Sequence, residues 1–325
     1  MDSVASINNK RYILCATDDN YAPYCGIMLT SLLENNPGPF HIYIAQDGSI
    51  SNKNRRKLDK LAKRYGVEII LKEVDAEPLD SFPLNKKLGK DGHSWVTLPT
   101  YFRLLAAEIL PPEAHSVLYL DCDIIVNGDI SSLWDIDLSG KALAGCPDDY
   151  SSGNCKRLNY PPEFGYINAG VSLYNLDYWR DNNAFRLFAA YAEKHREELL
   201  MMDQDIINGV FWDKKLTLLE RFNFLVSFLY MKCWSTYSKE YMEHLRAEDA
   251  NSVIIHYDTE AKPWDFHYFG FPFRNIWHHY KKVSPWSNSR FNAICYDHVR
   301  FVIKRVFITR RLRQKRAVLW AWVPE

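Results

Sequence analysis

Residues 11–71 read RYILCATDDNYAPYCGIMLTSLLENNPGPFHIYIAQDGSISNKNRRKLDKLAKRYGVEIIL, and the order of stretches within them decides the fold class. Arg11 to Thr17 is a short apolar run of strand length that ends in the polar turn Asp18-Asp19-Asn20. Tyr21 to Glu34 carries its apolar residues at helical spacing and stops at Asn35-Asn36-Pro37-Gly38. Phe40 to Ala45 is a second strand, closed by Asp47-Gly48. Ser51 to Tyr65 is a basic amphipathic helix that Ser51 can cap and Gly66 can end. Val67 to Leu71 is a third strand. Strands that alternate with helices at this spacing require crossover connections, so the stretch predicts a parallel, doubly wound α/β sheet.

Beyond it, Glu73 to Ser94 reads as a loop with two prolines and mixed charge, and Thr97 to Leu110 as a helix stopped by Pro111-Pro112. Ser116 to Leu120 is a short, wholly apolar strand that suits the centre of the sheet. Leu143 to Cys146, Val171 to Tyr174 and Val253 to His256 are further short strands, and Asp203 to Phe211 is a helix opened by a capping acid.

The stretch VLYLDCDIIV, residues 117–126, carries the first chemistry. Asp121 and Asp123 stand one residue apart just past a strand's carboxyl end, the edge at which open α/β sheets bind ligands. Two such carboxylates can hold a divalent cation, and the cation can neutralise a diphosphate. The D-x-D pattern recurs as Asp135-Ile136-Asp137 and Asp203-Gln204-Asp205, but only the first instance follows a strand and is apolar on both sides. Burying two acids there is costly without a countercharge, which a cation supplies; the alternative is a pair that caps the next turn. His256, at the end of a late strand, can complete the ligand set, and mixed oxygen and imidazole ligands favour Mn²⁺ over Mg²⁺. Lys262 can reach a phosphate, although a lone lysine is ordinarily solvated and a lone histidine is ordinarily a satisfied core residue. The turn Ala16-Thr17-Asp18-Asp19-Asn20-Tyr21 can bond a uracil ring and ribose hydroxyls, or equally cap the following helix.

Taken in order, seven segments of the chain resemble glycosyltransferase family 8, with the bacterial lipopolysaccharide α-galactosyl- and α-glucosyltransferases as its nearest likeness. They are ATDDNYAPY (16–24), LPTYFRL (98–104), VLYLDCDIIVNGDISSLWDIDL (117–138), YINAGVSLYNLDYWR (166–180), DQDIINGVF (203–211), RFNF (221–224) and HYDTEAKPW (256–264). The resemblance implies a GT-A-type, Rossmann-like fold with a mixed, mostly parallel central sheet flanked by helices. Residues 1–264 would form the catalytic domain and 265–325 a helical C-terminal region with a basic tail. It implies Asp121, Asp123 and His256 as ligands of Mn²⁺, with Mg²⁺ as an alternative metal. Ala16, Asp18 and Asn20 match the uridine-binding turn, and Lys262 and Thr259 the diphosphate site. Arg103, Asp148, Asn168, Asp203 and Gln204 match positions around the donor sugar, with Gln204, Asp203 and Asp148 at the reacting face. Relatives often carry Gly where Thr259 stands, a residue that lets backbone approach a phosphate closely. Residues 149–165 and all those after Trp264 carry no match, and acceptor specificity is expected there.

The implied reaction is retaining transfer of galactose or glucose from a UDP-sugar to a saccharide acceptor, forming an α-linkage. Its expected setting is the synthesis of lipopolysaccharide or another cell-surface glycan. The implied partners are UDP-glucose or UDP-galactose and an oligosaccharide or lipid-linked acceptor. A non-catalytic UDP-sugar-binding scaffold at the membrane surface is the alternative. A nicotinamide-dependent dehydrogenase would need a glycine-rich turn after the first strand, where this chain has Thr-Asp-Asp-Asn.

Composition sets the remaining bounds. Apolar residues make up 47% and charged residues 25% of the 325, as in globular proteins with a sizeable core. Seven dispersed cysteines without C-x-x-C spacing argue against a disulfide framework or a zinc site. Net charge is zero, yet the last thirty residues hold eight Arg or Lys against two acids, which leaves the body acidic and argues against nucleic acid as a partner. Val299, Val302, Ile303, Val306 and Phe307 share one helical face in this basic tail, and Trp320 and Trp322 follow. That is the pattern of a helix lying on an anionic membrane; the alternative is a helix packed on the body. Met1 to Lys10 is polar, and no run of about twenty apolar residues exists. The sequence therefore reads as cytoplasmic, peripheral on the inner face of the cell membrane.

Overall fold

The computed structural model describes residues 10–80, 82–83, 98–148, 153–229, 239–259, 261–265 and 271–289. The first half of the chain winds as β1 (Arg11–Ala16), α1 (Ala22–Asn35), β2 (Phe40–Gln46), α2 (Asn52–Tyr65) and β3 (Glu68–Glu73). Ser51 caps α2 by accepting a hydrogen bond from the Asn54 N–H, and Gly66 ends it in the left-handed conformation at φ 64°. Both ends of that helix are therefore set by the residues that the sequence singles out.

A 3-10 helix, Leu98–Leu105, leads into α3 (Ala106–Ile109), where the sequence reads one continuous helix to Leu110. At three residues per turn, positions three apart lie one above the other. Thr100 and Arg103 consequently face the same side, and both line the pocket described below. The chain continues through β4 (Ser116–Leu120), β5 (Ile124–Val126), β6 (Leu143–Pro147), α4 (Asn154–Arg157), β7 (Ile167–Asn175), α5 (Leu176–Asp181) and α6 (Ala184–Lys194). It then forms α7 (Met202–Val210), β8 (Lys215–Thr217), β9 (Phe224–Leu225), α8 (Lys239–Ala250), β10 (Ile254–His256) and α9 (Arg274–Val283).

The central sheet has seven strands in the order β3-β2-β1-β4-β7-β6-β8. β1 pairs in parallel with β2 on one side and β4 on the other, so the strand order reverses at β1/β4. Such a switch point opens a crevice at the carboxyl ends of the two strands. β7 runs antiparallel to β4 and β6, which makes the sheet mixed and brings the start of β7 to the carboxyl end of β4. β7 is nine residues long, where the sequence marked only Val171 to Tyr174. Asn168 and Gly170 thus lie in a strand; their small or polar side chains broke the apolar pattern because they face the site.

Side chains alternate across this sheet into two cores. Tyr12 and Leu14 of β1 join Val117 and Tyr119 of β4 on one face. Ile13 and Cys15 join Leu118 and Leu120 on the other. The second sheet, β5-β10-β9, is small, and it delivers His256 from β10 against β5, the strand that follows Asp123. Residues 271–289 pack on the same body: Trp277 and Tyr280 bury with Ile27 of α1, and Trp286 buries in the core beneath the sheet.

The basic tail and its membrane-binding pattern lie outside the described residues. Among those described, no helix is long and apolar enough to cross a membrane. At Gly26 a Cβ would come within 2.1 Å of the Trp286 ring, a fully buried neighbour. Gly26→Ala should therefore overpack this contact and cost about 1–3 kcal/mol. Urea unfolding of the two proteins checks it, and equal midpoints would show that the ring moves freely aside.

Candidate active site

The pocket at the β1/β4 switch point encloses about 840 Å³. One wall is the end of β1 and the turn after it, with Ala16, Thr17, Asp18 and Tyr21. The floor is Asp121-Cys122-Asp123 with Asn168 and Gly170 of β7, and the far wall is Leu200 to Gln204 at the start of α7. Arg103 and Lys262 enter it, and Asp258 and Thr259 close it. Chain segments far apart in sequence converge because β4, β7 and β10 all end or begin at this edge.

Asp121, Asp123 and His256 each offer a ligand atom, and these atoms lie within 4.8 Å of one another. Gly170 makes this convergence possible. A Cβ there would sit 2.4 Å from His256 Cε1 and 2.7 Å from Asp121 Oδ2. Two carboxylates and an imidazole, drawn together over a backbone with no side chain, fit a divalent cation by donor chemistry and by space.

Each acid also has a protein cation beside it, an arrangement that the sequence argument assigned to the metal alone. Arg103 donates to Asp121 Oδ1 at 2.7 Å and to Asp203 Oδ2 at 2.9 Å, and its Nη1 reaches the Ala169 carbonyl at 2.9 Å. Its guanidinium lies 4.3 Å from the centre of the Tyr119 ring, whose hydroxyl donates to Asp121. Burial opposes the charge on Arg103, but Asp121 and Asp203 outweigh it and raise its pKa. Lys262 donates to Asp123 Oδ2 at 2.7 Å and to the Tyr257 carbonyl at 2.6 Å. Burial disfavours the ionised Asp123, yet Lys262 and His256 hold its pKa well below the ordinary carboxylate range.

His256 is oriented by a run of amides. Its Nδ1 lies 2.9 Å from Asn223 Oδ1, which makes Nδ1 the donor and turns Nε2 toward Asp123, 3.3 Å away. Asn223 donates in turn to Asn168 Oδ1 at 2.9 Å. Asn168 and Gln204 both donate to Asp148 Oδ2, at 3.4 Å and 3.1 Å. Gln204 Oε1 accepts from the Ala169 N–H at 3.0 Å, so both ends of that amide are engaged. Asp148 lies behind the pocket wall, and its burial raises the carboxyl pKa to about 6.

Asp203 lies in the first turn of α7 but does not cap it: the helix starts at Met202, and the Asp203 carboxylate goes to Arg103. Of the other D-x-D acids, Asp137 and Asp205 have structural work. Asp137 accepts from Ser139 N in an exposed turn. Asp205, fully buried, accepts from Arg157 at 2.8 and 2.9 Å, from the Tyr166 hydroxyl, and from the Leu200 and Met201 N–H groups. Those bonds hold the segment before α7, where Met202 takes a positive φ of 44° and exposed Leu200 and Met201 form the pocket's lip. Strain of this kind persists where surrounding contacts over-determine it.

Of the residues expected to bind a nucleotide, Ala16, Asp18, Thr259 and Lys262 line the pocket. Asn20 is exposed and is not among the lining residues. Asp18 lines the pocket, and its Oδ1 accepts from Tyr21 N at the start of α1. Thr259 keeps an ordinary φ and donates its hydroxyl to the Ala261 carbonyl, so the backbone there has no need of glycine. Three residues escaped the sequence reading: Gly170, Asn223 and Tyr119. Gly170 and Asn223 stand inside quoted segments, but no spacing marks a glycine as a clearance or an asparagine as a histidine's partner.

A switch-point pocket floored by a strand-end acidic pair and a histidine, in a mixed sheet of this order, defines a GT-A glycosyltransferase. The profile of glycosyl transferase family 8 matches residues 12–267. The chain belongs to that family. It is 28% identical over 281 residues to general stress protein A of Bacillus subtilis, covering 85% of this chain and 94% of that one. It is 26% identical over 311 residues to the lipopolysaccharide 1,3-galactosyltransferase of Salmonella typhimurium, covering 92% and 86%. The galactosyltransferase LgtC, solved in complex with donor and acceptor sugar analogs, superposes with a TM-score of 0.71 at 26% identity, over 84% of this chain and 96% of LgtC.

Two outcomes follow from the geometry. Gly170→Ala should push His256 and Asp121 apart and weaken divalent-cation binding about tenfold or more, on the scale of lost ligand orientation; calorimetric titration measures it. Asp148 gives a second. A folded-state pKa above the ordinary value means that the folded chain binds the proton more tightly, so the ionised acid costs stability above about pH 6 and the cost fades toward pH 4. Asp148→Asn should therefore raise the unfolding free energy by on the order of 2 kcal/mol near neutral pH, and by little near pH 4. Urea unfolding at both pH values checks the sign.

Proposed function

We propose that this chain transfers galactose or glucose from a UDP-sugar to a saccharide acceptor, with retention of configuration and with Mn²⁺ held by Asp121, Asp123 and His256. The observation that carries the reading is that the triad and the Ala16–Asp18 turn line one pocket, with Lys262 bonded to Asp123 in the same lining. A nucleoside on the turn and a diphosphate at the triad would be two parts of one ligand in that pocket. Family relatives that act as lipopolysaccharide galactosyl- and glucosyltransferases support the hexose donor and the cell-surface glycan.

When bound, the cation offsets charge on the departing diphosphate. The protein supplies the rest. Lys262 brings a second positive charge to the same edge, in a site where fixed charges act more strongly than in water. Arg103, anchored by two carboxylates and a carbonyl, presents a rigid set of donors to the sugar side of the pocket. Asn168 and Gln204 face the same space with their amides fixed by Asn223, Asp148 and Ala169. Gln204 is a poor nucleophile, Asp203 is tied to Arg103, and Asp148 sits behind the wall. These placements favour a front-face route in which the leaving phosphate helps to deprotonate the acceptor. The basic tail with Trp320 and Trp322 supports a site of action at the inner face of the membrane.

The test is UDP release from UDP-glucose and UDP-galactose, with and without Mn²⁺, in the wild type and in Asp123→Ala. Release from one donor that requires the metal and drops at least 100-fold in the variant is expected, in line with the loss of a metal-ion contribution. No release and no binding of either donor would overturn the proposal.

A further inference from the structure

The turn that lines the nucleotide end of the pocket is held from behind by Asp19. Its carboxylate Oδ1 accepts from Ser51 N at 2.8 Å and from Asn54 Nδ2 at 2.7 Å, while its carbonyl accepts from the same amide at 3.2 Å. Its own N–H donates to Ser49 Oγ at 3.1 Å. Asp18 and Tyr21, on either side of Asp19 and Asn20, line the pocket.

Asn54 can serve Asp19 in only one orientation. An amide has a donor end and an acceptor end, and a reversed amide would set its oxygen against a carboxylate. The orientation is fixed from the far side by Trp286, whose Nε1 donates to Asn54 Oδ1 at 3.0 Å. Trp286 is fully buried and wedged between two helices. It fills the space that Gly26 of α1 leaves open, and Lys57 of α2 lies 5.4 Å from its ring centre. Lys57 also donates to Ser289 Oγ at 2.8 Å, and Arg64 of α2 donates to the Val283 carbonyl at 2.5 Å, so the segment is pinned to α2 on both sides of the indole. Trp286 lies beyond the family-matched residues 12–267.

We propose that Trp286 is a positioning residue for donor binding: through Asn54 it orients Asp19 and so shapes the turn that receives the nucleoside. The inference rests on the assignment of that turn to uridine. It makes the C-terminal segment part of the donor site's support, although the segment is remote in sequence and Trp286 is not among the pocket's lining residues. The effect belongs to the nucleoside end of the donor. The diphosphate end depends on Asp123, His256 and Lys262, which make none of these contacts.

The test uses the full chain and calorimetric titration of UDP and of inorganic pyrophosphate with Mn²⁺, alongside KM and kcat for UDP release from the active donor. Trp286→Phe keeps an aromatic ring in the segment but removes the N–H together with part of the indole; Asn54→Ala removes the relay from its other end. UDP affinity and the donor KM should worsen about fivefold in Trp286→Phe, the scale of one buried hydrogen bond. Asn54→Ala should lose about tenfold or more, since several bonds to Asp19 go together. In both, pyrophosphate affinity and kcat should stay within about twofold of wild type, a split that general destabilisation would not give. Wild-type UDP affinity in both variants, whatever their melting temperatures, would overturn the inference and leave the proposed function standing. Equal losses for UDP and pyrophosphate would overturn it too. Failure of the wild type to bind UDP at all would remove both readings.

Discussion

The carboxylate of Asp121 stands at the end of the central strand between a guanidinium, a phenol and a glycine, and the site depends on all three. Arg103 and the Tyr119 hydroxyl occupy one of its oxygens, and Gly170 leaves the other clear toward His256. Without the glycine, the imidazole could not come close. Arg103 in turn is shared with Asp203, so the floor of the pocket and the start of α7 are fixed by a single guanidinium. Breaking such a buried arrangement from one side strands the remaining charges, which is why the pieces stand or fall together.

A second line of support runs from His256 through Asn223, Asn168 and Asp148 to Gln204 and the backbone of β7. Each amide in this line donates at one end and accepts at the other, so none can turn over without breaking a bond on both sides. The imidazole of the triad and the Gln204 amide that lines the pocket are therefore set by one continuous network. Preorganisation of this kind is what allows polar groups to act on a substrate without first rearranging.

The parallel half of the fold was legible from residues 11–71 because apolar periodicity, the Ser51 cap and the Gly66 stop all agree there. The acidic pair was legible because it follows a wholly apolar strand, and the two decoy D-x-D pairs differ in just that respect. Strand β7 was read too short because Asn168 and Gly170 face a ligand site and so violate the pattern of a buried strand. The helix over Thr97 to Leu110 was misjudged for a related reason: its first part winds tightly, which stacks Thr100 and Arg103 toward the pocket. Contacts such as Asn54 with Trp286 leave no local signature, since the two residues are brought together only by the packing of α1, α2 and the C-terminal segment.

The lip of the pocket at Leu200 and Met201 is fastened by its main-chain N–H groups to Asp205, not by its side chains. Every residue except proline carries that N–H, so the anchor places almost no demand on what stands at these two positions. Side chains there can be exchanged over evolutionary time while the loop keeps its path and the buried machinery below is undisturbed. Substitution at this lip can therefore change what the opening of the pocket presents without a matching loss of stability.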